Sequence, residues 1–273
     1  MARRWTKEEE LEKRAELFDL YVQQNKSIRE ISKILRMKEN SVYDRLIRLK
    51  IPTQRINKTG FNNINRTIIV PTNYSADLAE FIGILLGDGH ITPTQVTVTL
   101  GTKEYDYVKY VILLIQKLFR AKPKRMKTKR GDVVVYFGST VIVRWLMSMG
   151  LVRNKVKSQV GIPFWCLGMK SYMISTLRGL IDTDGSVYRL KSGLIQISFT
   201  NRSWPLLNGV KKILTRTGFH PSQISGFRLY LTRKQDILRY QREVGFRNAK
   251  HSRRFLDFLK NSGGSYSGNY TAL

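Results

Sequence analysis

The chain has 273 residues, with 48 Lys and Arg against 20 Asp and Glu, a formal net charge of +28. An excess of that size in a chain still 42% hydrophobic describes a folded protein whose partner is a polyanion, with a ribosomal protein or a membrane-surface binder as the other basic classes. One cysteine, Cys166, and three scattered histidines exclude a disulfide framework and a cysteine-rich zinc site and point to an intracellular, reducing compartment, either cytoplasm and nucleoid or an organelle matrix. No apolar run approaches the roughly 18 residues of a membrane span, and the amino terminus lacks the apolar core of a signal peptide.

Residues 1–52 read as a helical domain. Thr6 ahead of Glu8, Glu9 and Glu10 marks a helix start, with Leu11, Leu17, Phe18, Leu20, Tyr21 and Val22 as its apolar face. Two short helices follow, Ser27–Leu35 and Asn40–Leu49, with Ile28, Ile31 and Leu35 facing Val42, Leu46 and Leu49. The pair resembles a helix-turn-helix DNA reader whose second helix offers Ser41, Tyr43, Arg45 and Arg48 to the major groove, and a plain three-helix bundle explains the same spacing. Pro52 ends this unit, and the polar, Asn-rich stretch 53–75 reads as a linker that runs along DNA.

Residues 78–89 then make an almost wholly apolar helix that stops on Asp88, between Gly87 and Gly89. Such a helix is buried on most sides, so its end lies where buried surface meets an opening. A carboxylate there opposes the unpaired helix carbonyls and is disfavoured unless a cation joins it. Thr94–Leu100 alternates as a half-buried strand, residues 105–120 form an amphipathic helix, 132–137 a strand and 139–149 a helix. The basic run between them, with Lys124, Arg125, Lys127, Lys129 and Arg130, borders two strands and is expected to meet phosphates.

The second half repeats this order. Residues 174–185 form another apolar helix ending on Asp184, followed by strands at 187–189 and 194–199, a helix at 203–217, a strand at 227–231 and a helix at 234–244. Gly150-Leu-Val-Arg-Asn-Lys155 and Gly245-Phe-Arg-Asn-Ala-Lys250 are similar strings. Asp184 follows Asp88 by 96 positions and Gly245 follows Gly150 by 95, an internal duplication. Gly83 and Gly87 on the first helix match Gly179 and Thr183 on the second, and small residues at that spacing let two backbones approach. The two carboxylates then come together as a site for a hard metal ion.

Both stretches resemble the signature helix of the LAGLIDADG homing endonucleases. Leu177-Arg-Gly-Leu-Ile-Asp-Thr-Asp-Gly185 departs from the name-giving nonapeptide only at Arg178 and Thr183. Phe81-Ile-Gly-Ile-Leu-Leu-Gly-Asp-Gly89 is looser, with Leu86 where the family often has an acid, but keeps the final Asp-Gly. The resemblance implies an α+β fold of two α-β-β-α-β-β-α halves, 76–169 and 170–261, whose antiparallel sheets form a saddle over the DNA major groove. The Gly/Ser-rich tail 262–273 is expected to be disordered. Gln95, Thr97, Thr99 and Tyr136 in the first half are then candidates for base contacts, as are Arg189, Lys191, Gln196, Ser198, Arg228 and Tyr230 in the second. Simple exposure of a sheet face explains any single one equally well.

Asp88 and Asp184 are the candidate catalytic and metal-binding acids, with Gly87 and Thr183 beside them in the metal site. Mg²⁺ is favoured because few protein ligands, waters and phosphate oxygens satisfy it, and Mn²⁺ or Ca²⁺ also suit such a site. The resemblance further implies a basic residue near each acid, matched by Lys155 and Lys250, for which phosphate contact or surface charge is an equal reading. Thr102 and Asn201 at strand ends are candidates to orient water, and Asp182, with Leu86 at the matching place, reads as a capping or structural acid. The expected function is a site-specific homing endonuclease, intron-encoded or free-standing, that acts as a monomer and breaks both strands of a long, partly palindromic double-stranded DNA target. A non-cleaving protein of the same fold, either a maturase bound to intron RNA or a transcription regulator, is the alternative, although acids at both motif ends favour cleavage. An intein is disfavoured, because Met1 is no splicing nucleophile and Tyr270-Thr-Ala-Leu lacks a terminal asparagine.

Overall fold

A computed structural model describes residues 6–24, 26–53 and 68–260. Residues 54–67 of the expected linker and the tail expected at 262–273 lie outside these. The chain divides into two compact units, Met1–Ile64 and Asn65–Leu273.

In the first unit, α1 (Lys7–Phe18) begins at Thr6, whose side chain and that of Glu9 satisfy each other's main-chain N–H groups. Ser27 and Glu30 do the same for α2 (Ile28–Ile34), and α3 (Glu39–Arg48) follows. Leu17, Tyr21, Ile31, Val42, Leu46, Leu49 and Ile51 form the core. The apolar face of α1 is narrower than its sequence suggests, for Leu11 and Val22 are exposed. A π-helical turn at Asp19–Gln23 shifts the phase of the chain, and Tyr21 is the residue of that turn that becomes buried.

The second unit opens with α4 (Ala76–Gly87), β1 (Gly89–Ile91), β2 (Gln95–Leu100), α5 (Tyr105–Phe119), β3 (Lys124–Lys127), β4 (Val133–Gly138) and α6 (Thr140–Ser148). After a 3₁₀ turn at Phe164–Leu167 come α7 (Lys170–Asp184), β5 (Gly185–Arg189), β6 (Ile195–Thr200), α8 (Trp204–Arg216), β7 (Arg228–Leu231), α9 (Lys234–Glu243) and α10 (Ala249–Lys260). Both sheets are antiparallel, in the orders β1-β2-β4-β3 and β5-β6-β7. This is the mixed helix and antiparallel-sheet architecture expected of the paired halves, with two differences. The basic run is itself the edge strand β3, all four residues exposed, and lysine on a short edge strand discourages further strand pairing. Its counterpart in the second half shrinks to a single bridge, Ser225 to Arg228.

Helices α4 and α7 form the centre. Every residue from Leu78 to Leu86 is buried, and each large apolar side chain so removed from water contributes about 2 kcal/mol. The helices touch backbone to backbone at Gly83 and Gly179: a methyl group on Gly179 would stand 2.8 Å from Ile84 N and 3.1 Å from the Gly83 carbonyl carbon. Arg178, one of the departures from the signature, crosses this contact. Its guanidinium reaches Glu80 at 2.8 Å, and the Tyr110 hydroxyl donates to the same carboxylate at 2.6 Å. Removing one partner of so buried a pair costs about 3–5 kcal/mol. Phe81, Phe119, Phe137 and Trp145 pack together in the first half, and Phe219, Tyr240, Phe246 and Phe255 in the second. No helix among the described residues is long and apolar enough to cross a membrane.

Candidate metal centre and nucleic-acid face

Each motif helix ends because its glycine turns the chain back against the last turn. A Cβ on Gly185 would lie 2.8 Å from Ile181 Cα, and one on Gly89 would lie 2.6 Å from Leu85 O. Glycine is required here by close approach, and a strand starts at once. The Thr183 side chain packs on Gly87, and the Asp184 carboxyl carbon lies 3.5 Å from where a Gly87 Cβ would stand. The two acids are therefore neighbours at the mouth of the helix pair.

Their environments differ. Burial, then the charges of Asp184 and Glu104, push Asp88 up to about 7, while Lys155 and Lys250 pull it down. Burial also raises Asp184, but Asn201 Nδ2 donates to its Oδ2 at 2.8 Å and Lys155 adds positive charge, both of which favour the ionised form. Lys155 Nζ donates to the main-chain oxygens of Leu85 (3.1 Å), Leu86 (2.9 Å) and Gly87. It is the cation that a helix end bearing a carboxylate needs. Burial holds its pKa below the usual lysine value against the pull of both aspartates.

Lys250 occupies a different kind of place. Its Nζ donates to Glu104 Oε1 at 2.8 Å, and Asn248 Nδ2 donates to the same oxygen at 3.0 Å. Burial favours the protonated Glu104, but bonds from Lys250, Asn248 and the Gly101 N–H outweigh it and hold the carboxyl below its ordinary value. These residues border a cavity of about 150 Å³ with Lys103, Asp106 and Arg253. Sequence reasoning missed Glu104, which reads there only as the start of an amphipathic helix. It also missed Asn248, although the repeated Arg-Asn-Lys string carried a signal. Asp182 Oδ2 accepts the Arg247 N–H at 2.8 Å, and its carbonyl accepts from Asn248 at 3.0 Å, so this acid ties the string to α7. Burial raises it to about 7. Thr102 stands instead beside Gly131 in the β3–β4 turn. Cys166 is buried, which pushes its thiol up to about 12.

Among the described residues no three His, Cys, Asp or Glu side chains gather for a metal ion. Gly87 O accepts from Lys155, and the Thr183 hydroxyl donates back to Gly179 O at 2.8 Å. The two carboxylates suit a hard cation that completes its shell with water and phosphate oxygen. Repulsion between half-buried acids is the charge imbalance such a cation relieves.

The sheets sort the strand residues by parity. His90, Thr97, Tyr136 and Lys124 form one cross-strand row, with Gln95 and Thr99 on the same face. Arg125 and Lys127 pair with the buried Val135 and Val133, so they lie on the other face, beside an apolar groove lined by Tyr105 and Val108. Lys129 and Arg130 are exposed in the turn beyond β3. In the second sheet Ser186, Ser198 and Tyr230 share a row, as do Tyr188 with Gln196 and Thr200 with Arg228, all on one face. Gln196 and Ser198 are nonetheless buried, and the Tyr188 hydroxyl bonds Gln196. Arg189 has the parity of the core and donates to Gly193 O at 3.2 Å, closing its own hairpin, while Lys191 is exposed in that turn. His90, Ser186 and Tyr188 were missed. In the first unit Tyr43 is exposed, Ser41 half-buried, Arg45 donates to Met37 Sδ and Arg48 pairs with Glu10 at 3.3 Å.

Two antiparallel sheets thus accompany the paired motif helices, with an acid at each helix end. The family profile described as a LAGLIDADG-like domain matches residues 171–245, so the second half of the chain is a LAGLIDADG-like domain. Over 117 residues, 42% of this chain, the sequence is 29% identical to the replication factor C small subunit of Methanocaldococcus jannaschii, and the match spans 6% of that relative's length. Among solved structures, the N-terminal LAGLIDADG domain of DUF199/WhiA is 16% identical, with 64% of this chain and 86% of that one covered and a TM-score of 0.45. I-DmoI in complex with DNA and Ca gives 15% identity, 62% and 88% coverage and a TM-score of 0.45. The I-SmaMI LAGLIDADG homing endonuclease bound to cleaved DNA gives 12%, 71% and 90%, and 0.44.

Proposed function

We propose that this chain is a site-specific DNA endonuclease that hydrolyses one phosphodiester in each strand of a long, partly palindromic duplex, with divalent metal and as a monomer. The observation that carries this reading is the pair Asp88 and Asp184, brought together by glycine-mediated helix contact, with burial and mutual repulsion still raising Asp88 despite the nearby Lys155. A Mg²⁺ ion bound there would acidify a water, hold the scissile phosphate and stabilise the departing oxygen. The chain's own residues do the rest. Both acids must lose their protons before they hold a cation. Lys155 neutralises the end of α4, Asn201 orients the Asp184 carboxylate, and Glu104 holds Lys250 at the rim. The polar faces of the two sheets, with the excess of 48 basic over 20 acidic residues, supply groove and phosphate contacts. Residues 1–52 are a second DNA-contacting element in this reading, with α3 as the reader.

The test is a selection on randomised long duplexes, incubated with the purified protein in Mg²⁺ and separately in EDTA, with the cut ends sequenced. Metal-dependent double-strand cuts at one long sequence are the expected result. Tight, salt-sensitive binding without cuts would replace the endonuclease with a non-cleaving regulator, or with an intron-RNA binder if RNA competes.

A further inference from the structure

The turn before β7 holds a residue that its geometry disfavours. Ser225 and Arg228 exchange both main-chain hydrogen bonds, at 3.0 and 2.9 Å, around the two-residue loop Gly226-Phe227. Both loop residues have positive φ, +53° and +61°. Loops of this kind take Asn-Gly or Gly-Gly, because a bulky side chain in the left-handed region is strained. The longer turn at the matching place in the first half, between Thr128 and Asp132, puts a glycine, Gly131 at φ +94°, in its left-handed position. Backbone strain retained at one position is a pointer to use.

Core burial does not offset the strain. Phe227 remains 42% exposed and leans on Trp204, 45% exposed, with ring centroids 5.5 Å apart. The pair stands beside the metal centre: Phe227 O accepts the Asn201 N–H at 3.1 Å, and Asn201 Nδ2 holds Asp184 at 2.8 Å. Exposed Arg202 and Arg228 flank it, and Arg228 lies on the polar face of the sheet in register with Thr200. The first half offers charge at the matching tip, Lys129 and Arg130. An aromatic surface rimmed by cations, linked through Asn201 to a phosphate-cutting acid, suits a nucleobase or deoxyribose, whose flat apolar face lies next to a phosphate.

We propose that Trp204 and Phe227 form an aromatic wedge that stacks on duplex DNA beside the bond cut at Asp184 and loosens one base step there. The matching tip of the first half, by contrast, offers charge alone. This rests on the endonuclease reading. The test uses the full chain and a duplex recovered by binding selection with Ca²⁺ in place of Mg²⁺, carrying 2-aminopurine at successive central positions. The wild type should raise 2-aminopurine emission on one side of the centre only. Phe227→Gly removes the ring and relieves the strained φ, so its melting temperature should hold or rise while the emission change disappears and Kd weakens about tenfold. Trp204→Ala should lose the same signal, and Phe164→Ala, at another exposed aromatic, should keep it. Emission and affinity unchanged in Phe227→Gly, with wild-type cutting intact, would overturn the wedge alone. Failure of the wild type to recover any duplex would overturn both readings.

Discussion

The two halves attach the same repeated string to their motif helices by opposite chemistry. In the first, the ammonium of Lys155 caps the carbonyls of Leu85, Leu86 and Gly87. In the second, the carboxylate of Asp182 grips the Arg247 N–H, and Lys250, at the same distance from its glycine as Lys155, turns to Glu104. Leu86 stands where Asp182 would be, and a lysine in place of the internal acid leaves the first helix end with a cation and the second with an amide, Asn201. Duplication thus preserved the backbone plan while the charges that balance it diverged. Asp88, facing Asp184 and Glu104, is the weaker acid of the pair.

The largest effect should come from removing either acid. Asp88→Asn and Asp184→Asn are each expected to lower double-strand cleavage by about 10³-fold while binding to the selected duplex changes little, because metal chemistry and groove contacts use different residues. Normal cutting of both strands by either variant would break the idea of one shared centre. Next is the contact that joins the halves. Gly179→Val, placed against the Gly83 backbone, should lower stability by about 3 kcal/mol in urea unfolding, whereas the same change at Gly226, which has nothing within 4 Å of its Cβ position, carries only backbone strain.

The lysines sharpen the comparison. Lys155→Met and Lys250→Met should each slow cleavage about 10–100-fold and leave different strands uncut in a nicking assay. Lys250→Met should also move the acidic limb of the pH–rate profile upward, since Glu104 would then act on Asp88 uncompensated. Equal effects on both strands would mean that the halves are functionally equivalent despite their chemistry.

The smallest effect concerns pH. Asp88 and Asp182 both have folded pKa values of about 7, above the usual carboxylate range. Between roughly pH 4 and 7 the folded state therefore binds more protons than the unfolded state, and metal-free stability should fall as pH rises through that window. Asp88→Asn should flatten the fall, and Mg²⁺ should restore wild-type stability only once Asp88 has ionised. Thermal melts in EDTA and in Mg²⁺ at stepped pH read this directly.

Much of the molecule was legible in one dimension because it depends on local pattern. The apolar runs before Asp88 and Asp184, the glycines at Gly83 and Gly179, the order of strands and helices and the 96-residue offset of the two acids need no knowledge of long-range pairing. Arg178 read as a mere departure until Glu80 appeared opposite it. Lys124 and Arg125 are adjacent and equally basic, and only the register with Tyr136 and Val135 decides that one shares the polar face and the other does not.

The sequence by itself therefore determined the repeat, the helices and the acids that end them, because periodicity and a helix-terminating Asp-Gly are properties of neighbours along the chain. Tertiary structure alone decided that Glu104 meets Lys250 across 146 positions, that Asn201 rather than Thr102 donates to Asp184, and that Phe227 is held strained beside it. Those outcomes join residues far apart along the chain, which a pattern among sequence neighbours does not encode.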